Sequence, residues 1–186
     1  MLGYVIRTHE ITDMYQKLSL YAQEANVKIQ LSEDGNTKLV LFEKKSRPYE
    51  ATIEEDTLTI KPAKAKWYNF LKIGFDRSRI TLFVPKSKLA EISVKTNVGC
   101  VEICSVACVG AIDIHTNTGK VLLNDCVAPD IFVRTNTGRV CGKLPSNIVF
   151  TVRTNTGRID TPQAPIGEVI GGRCEIKTNT GSVKFA

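Results

Sequence analysis

Hydrophobic and polar residues alternate along most of the chain, which is the pattern of β-strands with one buried face. In the first half the alternating sets are short and close together, and Asp34-Gly35 supplies a hairpin signal between two of them. The sets are Leu18/Leu20/Ala22, Val27/Ile29/Leu31, Leu39/Leu41, Ala51/Ile53, Leu58/Ile60 and Ile80/Leu82/Val84. The pattern predicts an all-β protein.

The second half repeats one short motif five times, and this repeat decides the predicted architecture. Each copy is a Lys, Arg or His followed by Thr-Asn, one further residue and Gly, with alternating hydrophobic residues on both sides. The copies begin at Lys95, His115, Arg134, Arg153 and Lys177, so that successive Thr residues are 20, 19, 19 and 24 residues apart. Every repeat is therefore predicted to form a strand, a turn and a second strand, with the Gly at positive φ.

Two architectures fit such a repeat. In a meander of hairpins, equivalent turns would lie about 9.6 Å apart and would have no reason to match one another. In a solenoid, equivalent turns stack at about 4.8 Å, where identical Asn and Thr side chains can form hydrogen-bonded ladders. The near-identity of the turns favours a single-stranded β-solenoid (β-helix) of about 19–20 residues per coil. The handedness rule for parallel crossovers predicts a right-handed one.

We interpret residues 1–186 as a single solenoid domain, because no linker-like stretch interrupts the alternation. Residues 1–89 lack the motif and are interpreted as degenerate N-terminal coils and a cap, whereas residues 90–186 are interpreted as regular coils. The segment from Thr161 to Arg173 absorbs the additional residues of the longest repeat.

These features together resemble the bacterial "putative adhesin" family of β-solenoid domains. The resemblance rests on the alternating strands, on Leu58-Thr59-Ile60, on Val84-Pro85 and on the serial x-Thr-Asn-Thr-Gly-x-Val coils. It extends from about Leu18 to Phe185. The resemblance implies a β-solenoid of unknown function that is associated with the bacterial cell envelope, and it offers no catalytic residues.

Composition and charge exclude several classes of protein. With 42% hydrophobic and 24% charged residues, the chain of 186 residues is typical of a globular domain rather than a disordered or collagen-like one. The net charge of +6 is mild, and we expect no nucleic-acid partner. No apolar run approaches about 18 residues, and no signal-peptide pattern is visible, so we expect neither a transmembrane segment nor an export signal. A cytoplasmic location therefore stands beside the envelope location that the resemblance implies.

The six cysteines are spread thinly, and no Cys-x-x-Cys pair occurs. His9 and His115 are not at zinc-finger spacing, and Cys100, Cys104 and Cys108 form the only cluster. Buried or half-buried free thiols account for this pattern. We expect no metal site and no cofactor.

The repeats lack the residue pattern of a hydrolase or lyase. Polysaccharide-active enzymes need paired carboxylates, or carboxylates that hold a cation beside a basic residue. The outward acids of the repeats stand singly, at Glu102, Asp113, Asp160 and Glu175. We expect no enzymatic activity and no catalytic residues, and a carboxylate pair on one face would favour the opposite.

Arginines supply the first candidate binding surface. The residues before each Thr-Asn pair and after each Gly point outward by alternation, and with coils stacked in chain order the two columns are densest at four arginines. We define the basic wall as Arg134, Arg139, Arg153 and Arg158. Guanidinium groups in such an array suit an anionic polymer of the cell envelope. The alternative is a solvated face that keeps a β-protein soluble.

The second candidate is an aromatic segment around the only Trp. Trp67, Tyr68 and Phe70 are interleaved with lysines between Lys64 and Phe75. This composition suits contact with a membrane surface, a glycan or a partner protein. The alternative is a cap over the open end of the stack, which solenoids generally require.

Together these observations predict a non-enzymatic binding or scaffolding module of the bacterial cell envelope. The alternative is an intracellular protein-interaction scaffold, and a polysaccharide-active enzyme ranks third. The identity of the ligand or partner protein and the oligomeric state stay open from the sequence.

Overall fold

The computed structural model describes residues 3–63, 78–86, 89–163 and 171–186 of the chain. Every regular element in these ranges is a β-strand. Six strands precede the repeats: β1 (Tyr4–Ile11), β2 (Lys17–Leu31), β3 (Thr37–Lys44), β4 (Tyr49–Glu54), β5 (Thr57–Pro62) and β6 (Ser78–Val84). Ten strands form the repeats: β7 (Glu91–Val98), β8 (Val101–Cys104), β9 (Ala111–Thr118), β10 (Val121–Asn124), β11 (Asp130–Thr137), β12 (Val140–Lys143), β13 (Ile148–Thr156), β14 (Ile159–Asp160), β15 (Gly172–Thr180) and β16 (Val183–Phe185). Among the described residues, no helix is long and apolar enough to cross a membrane.

The repeats stack as coils that build two parallel sheets. In each coil the longer strand lies in a first sheet and ends in the Thr-Asn motif, and the shorter strand after the Gly lies in a second sheet. Equivalent residues are in register, so that Thr116 pairs with Thr96 on one side and Thr135 on the other. Inward residues of both sheets, such as Val133 and Val140, are fully buried. The predicted β-solenoid is confirmed, and the meander is wrong because equivalent strands run parallel.

The Gly of each motif allows neighbouring coils to approach closely at the corner. The five motif glycines have φ between 150° and 157°, which confirms the expected positive φ. A Cβ atom on Gly138 would lie only 1.8 Å from the carbonyl oxygen of Gly119 in the next coil. The position therefore requires glycine for its backbone conformation and also for its lack of a side chain.

The predicted side-chain hydrogen bonds between coils form in two pairs of Asn residues but not through Thr. Asn117 donates from Nδ2 to Oδ1 of Asn97 at 3.1 Å, and Asn155 donates in the same way to Asn179 at 2.5 Å. A carboxamide can span a coil spacing of about 4.8 Å because its donor and acceptor point in different directions, whereas equivalent hydroxyls are too far apart. Within the described part of the chain, four buried Thr hydroxyls have no hydrogen-bond partner, namely those of Thr96, Thr116, Thr135 and Thr178.

The last two coils stack in the reverse of their chain order. The C-terminal β15 pairs with β11 on one side and β13 on the other, and β16 lies in the same way between β12 and β14. The order along the stack is therefore β2, β7/β8, β9/β10, β11/β12, β15/β16 and β13/β14. Stacking in chain order, on which the density of the basic wall was predicted, is wrong at this last step.

Two features of the repeats favour the exchanged order. The strand β14 has only two residues. In the middle of the second sheet it would leave backbone groups of two longer neighbouring strands without hydrogen bonds, whereas at the end of the stack it affects only one neighbour. Chain order would also place Arg158 directly beside Arg139. The exchange puts Ser182 between Arg139 and Arg158, because Val140 donates to the Ser182 carbonyl and Val183 donates to the Arg158 carbonyl.

The N-terminal strands extend the stack at its other end. The two halves of β2 pair with β7 and β8, and on the opposite side with β5 and β6, all in parallel. Beyond this layer the pairing is antiparallel: β4 on β5, β3 on β6 and β1 on β3. The turn at Gly35 reverses the chain, but it does not form a paired hairpin, because β6 lies between β2 and β3. In the described part of the chain before residue 90, coil-like parallel pairing is thus limited to β2, β5 and β6.

Candidate functional site

Basic residues form a continuous column on the outer face of the first sheet. The residue before each Thr-Asn pair is in register from coil to coil, and the series starts beside Tyr21 of β2. We define the basic column, in stack order, as Lys95, His115, Arg134, Lys177 and Arg153. With coils about 4.8 Å apart, the five residues span about 19 Å along the stack.

A shallow groove follows the basic column. Its opposite side is the column of Asn residues that lie two positions further along each strand. One part has a volume of 480 Å³ and the other 460 Å³. Both parts are lined by His115 and Thr116, so they meet at the coil that contains these two residues. The first part contains Arg134, Lys177, Arg153, Asn136, Asn179 and Asn155, and the second contains Tyr21, Gln23, Lys95, Asn97 and Asn117.

Two carboxylates partly offset the positive charge of the column. Asp113 Oδ1 lies 3.4 Å from Nε2 of His115, and Glu175 Oε1 lies 2.5 Å from Nζ of Lys177. The hydrogen bond from Lys177 lowers the pKa of the Glu175 carboxyl, and the charges of Lys177, Arg134 and Arg153 lower it further. Glu175 is therefore ionised in the midst of the three cations nearest the C-terminal coils.

The structure divides the four arginines of the basic wall into two pairs. Arg134 and Arg153 line the groove, on either side of Lys177. Arg139 and Arg158 follow the Gly corner and do not line it. All four side chains are exposed, and none forms an ion pair with another described residue. The basic wall therefore consists of two rows: Arg134 and Arg153 lie in the groove, and Arg139 and Arg158 lie on the other side of the Gly corner.

Lys177 is the residue whose place in the site the sequence analysis missed. It links Arg134 to Arg153 because its coil is inserted between theirs. The 24-residue step before its motif was the available signal, since a longer connection allows the chain to return from the outermost coil to the position inside it.

The acids considered for catalysis each lie beside a basic side chain. Asp113 and Glu175 share a column, but Phe132 lies between them. On the second sheet, Glu102 lies 3.1 Å from Lys28 and Asp160 lies 3.9 Å from Lys184. Asp113 and Glu175 are thus two coil spacings apart, about 9.6 Å along the stack, compared with the roughly 5–5.5 Å between the carboxyl groups of a retaining glycosidase.

The six cysteines are free thiols. Burial raises the pKa of Cys126 and of Cys174 to about 12, and it is also the largest cause of the raised pKa of Cys100, Cys104 and Cys108. None of these five has the lowered pKa of a reactive thiol. Within the described ranges, His, Cys, Asp and Glu side chains form no group of three or more that could hold a metal ion.

Trp67, Tyr68 and Phe70 lie outside the described residues. Their contact with a partner or membrane, and the alternative of a cap, stay predictions.

Solved structures of other bacterial proteins are similar to this chain. A "putative cell adhesion protein" from Clostridium sporogenes aligns with a TM-score of 0.70 at 11% identity, covering 98% of this chain and 97% of that one. A "putative adhesin" from Bacteroides fragilis is 15% identical over 98% of this chain and 97% of that one, with a TM-score of 0.49. At such identities the likeness concerns the fold.

No curated protein matches the chain. A family model does, and it spans residues 15–185, which is nearly the whole stack from the loop before β2 to the end of β16. The resemblance to an adhesin-like β-solenoid family is confirmed, and the chain belongs to the Toastrack DUF4097 family.

Proposed function

We propose that the protein is a non-enzymatic binding module whose groove holds an anionic polymer of the bacterial cell envelope. The observation that carries this proposal is the basic column. Arg134, Lys177 and Arg153 follow one another on adjacent coils beside an open groove, with Glu175 as the one carboxylate described among them.

Neighbouring cations of the column repel one another, and Glu175 offsets only part of this repulsion. Unit charges about 4.8 Å apart repel by roughly 0.9 kcal/mol per pair even in water. An anion laid along the groove would relieve that repulsion and accept paired hydrogen bonds from the guanidinium groups. Because the column is linear and parallel to the stack, it favours an extended polymer over a compact anion.

The comparison with solved structures is consistent with a binding role. The Clostridium sporogenes protein of this fold is named for cell adhesion, and a groove for a surface polymer is a feature that adhesion would use. In this protein the groove and its charges, rather than that name, support the proposal.

Charge reversal within the groove tests the proposal. The double variant Arg134→Glu/Arg153→Glu should lower the affinity for soluble polygalacturonate or polyphosphate at least tenfold, and wild-type affinity should fall steeply between low and moderate salt. The matched control is Arg139→Glu/Arg158→Glu, which changes the net charge equally but lies across the corner. It should have a clearly smaller effect.

Thermal melts of both variants show whether the fold is intact, and we expect little change because all four side chains are exposed. Equal losses in the two variants would contradict binding in the groove. A wild-type protein that binds neither polymer would contradict the proposed function and favour the protein-interaction scaffold.

A further inference from the structure

The groove ends at an aromatic ring, which a purely anionic ligand would not need. Tyr21 of β2 pairs with Lys95 and so occupies the next position of the same column. Its side chain is 45% exposed and lines the groove together with Lys95 and Gln23. In the rest of the column this position is basic, so the groove changes from charged to amphipathic at this end.

The second side of the groove is made of amides. Gln23 lies between Ala22 and Glu24, which pair with Thr96 and Val98, so it continues the column of Asn97. Each Asn–Asn hydrogen bond uses one N–H donor of one carboxamide and one acceptor site of the next. Every carboxamide therefore keeps further donor and acceptor capacity. Hydroxyl groups can use both kinds of site, whereas phosphate or carboxylate oxygens can use only the donors.

The groove therefore has cations along one side, amides along the other and an exposed aromatic ring at one end. Cations bind carboxylates, amides bind hydroxyls, and the face of Tyr21 offers a flat apolar surface for a ring. A polymer that carries all three matching features is a chain of acidic sugars. A polyphosphate chain would match the cations alone.

We propose that the ligand of this groove is an acidic glycan that lies parallel to the stack, with one sugar ring packed on Tyr21 and its neighbours' carboxylates on Lys95 and the basic column. This inference rests on the proposed function, since it names the chemical class of the polymer held there. It assigns Tyr21 as a specificity-determining residue and Gln23 as its hydrogen-bonding neighbour.

The test compares two polyanions of similar charge, oligogalacturonate and polyphosphate, by calorimetry at low salt. Tyr21→Ala should weaken oligogalacturonate binding about tenfold, comparable with the loss of one ring stacked on an aromatic side chain. The same variant should leave polyphosphate binding within about twofold of wild type. Tyr21→Phe retains the ring and should bind both polymers as the wild type does.

The outcomes separate the two proposals. If Tyr21→Ala weakens both polymers equally, or neither, the assignment of Tyr21 is overturned. If the wild type binds polyphosphate but not oligogalacturonate, the glycan is overturned while the proposed function stands. If it binds neither, the proposed function fails and this inference fails with it. Unchanged melting temperatures of both variants confirm that a loss of binding is not a loss of fold.

Discussion

The two C-terminal coils carry the same motif and have opposite places in the stack. The β15/β16 coil is covered on both sides, and its inward residues Cys174, Ile176 and Val183 are buried. Among the described residues, the β13/β14 coil has a neighbouring coil on one side only, and its inward residues Phe150, Val152 and Ile159 are partly exposed, with Ile159 reaching 45%. Burial in this solenoid is therefore decided by the number of neighbouring coils and not by the motif.

The same comparison shows how the end of the stack is tied down. Phe150 of the outer coil packs against Phe185 of the inner coil with ring centroids 5.0 Å apart, and Thr154 Oγ1 donates to the Gly181 carbonyl at 3.3 Å. The inserted coil also brings Glu175 near both Arg134 and Arg153. The β15/β16 coil, which is last in the chain, therefore fixes the position of the β13/β14 coil, which is last in the stack.

The largest expected effect tests the stack order itself by cross-linking. Thr180 pairs with Thr137 on one side and Thr156 on the other, and all three are exposed. The double variants Thr137→Cys/Thr180→Cys and Thr156→Cys/Thr180→Cys should form disulfides under mild oxidation, because adjacent coils lie within disulfide range. Thr137→Cys/Thr156→Cys should form none, since about 9.6 Å separates alternate coils. Because the 156–180 link can form in either order, the other two links decide: peptide mapping that finds 137–156 instead of 137–180 would show that the coils stack in chain order.

The second prediction concerns the corner glycines of the two coils. A Cβ at Gly181 would lie 1.7 Å from the Gly138 carbonyl oxygen, and one at Gly157 would lie 2.0 Å from the Gly181 carbonyl oxygen. Gly181→Ala should lower the free energy of unfolding by about 3 kcal/mol or more, because its coil is held on both sides and cannot move away. Gly157→Ala should cost about half as much, since the outer coil can shift. Denaturant melts measure both, and a larger loss at Gly157 would contradict the assigned order.

The third and smallest effect comes from two valines on either side of Ile176. Val133 and Val152 occupy the same column, but Val133 is fully buried and Val152 is partly exposed. Val133→Ala should cost about 2 kcal/mol of unfolding free energy, and Val152→Ala about 1 kcal/mol. The substitutions remove identical atoms, so the difference in denaturant midpoint reports the covering coil alone. Equal losses of unfolding free energy would mean that Val152 is as well buried in solution as Val133, which would contradict its place in an uncovered outer coil.

Much of the architecture follows from short-range pattern in the sequence. Alternation assigned Val133 and Val140 to the interior and Arg134 and Arg139 to the surface, and the burial of these residues agrees. The corner glycines and the Asn ladder were predictable because each depends only on residues at equivalent positions of adjacent coils. The Thr ladder did not form, because a Thr hydroxyl is too short to reach the equivalent hydroxyl across the coil spacing.

What the sequence by itself determined is the repeating unit: strand, Gly corner and strand, with hydrophobic residues inside and basic residues in register outside. What only the tertiary structure decided is which units are neighbours. β15 lies between β11 and β13, and β6 lies between β2 and β3, so both ends of the stack contain a strand inserted out of chain order. Near-identical units offer near-identical pairing edges, and local pattern cannot rank them. The choice falls to small differences in burial and charge between whole coils, and that choice places Lys177 between Arg134 and Arg153 in the groove.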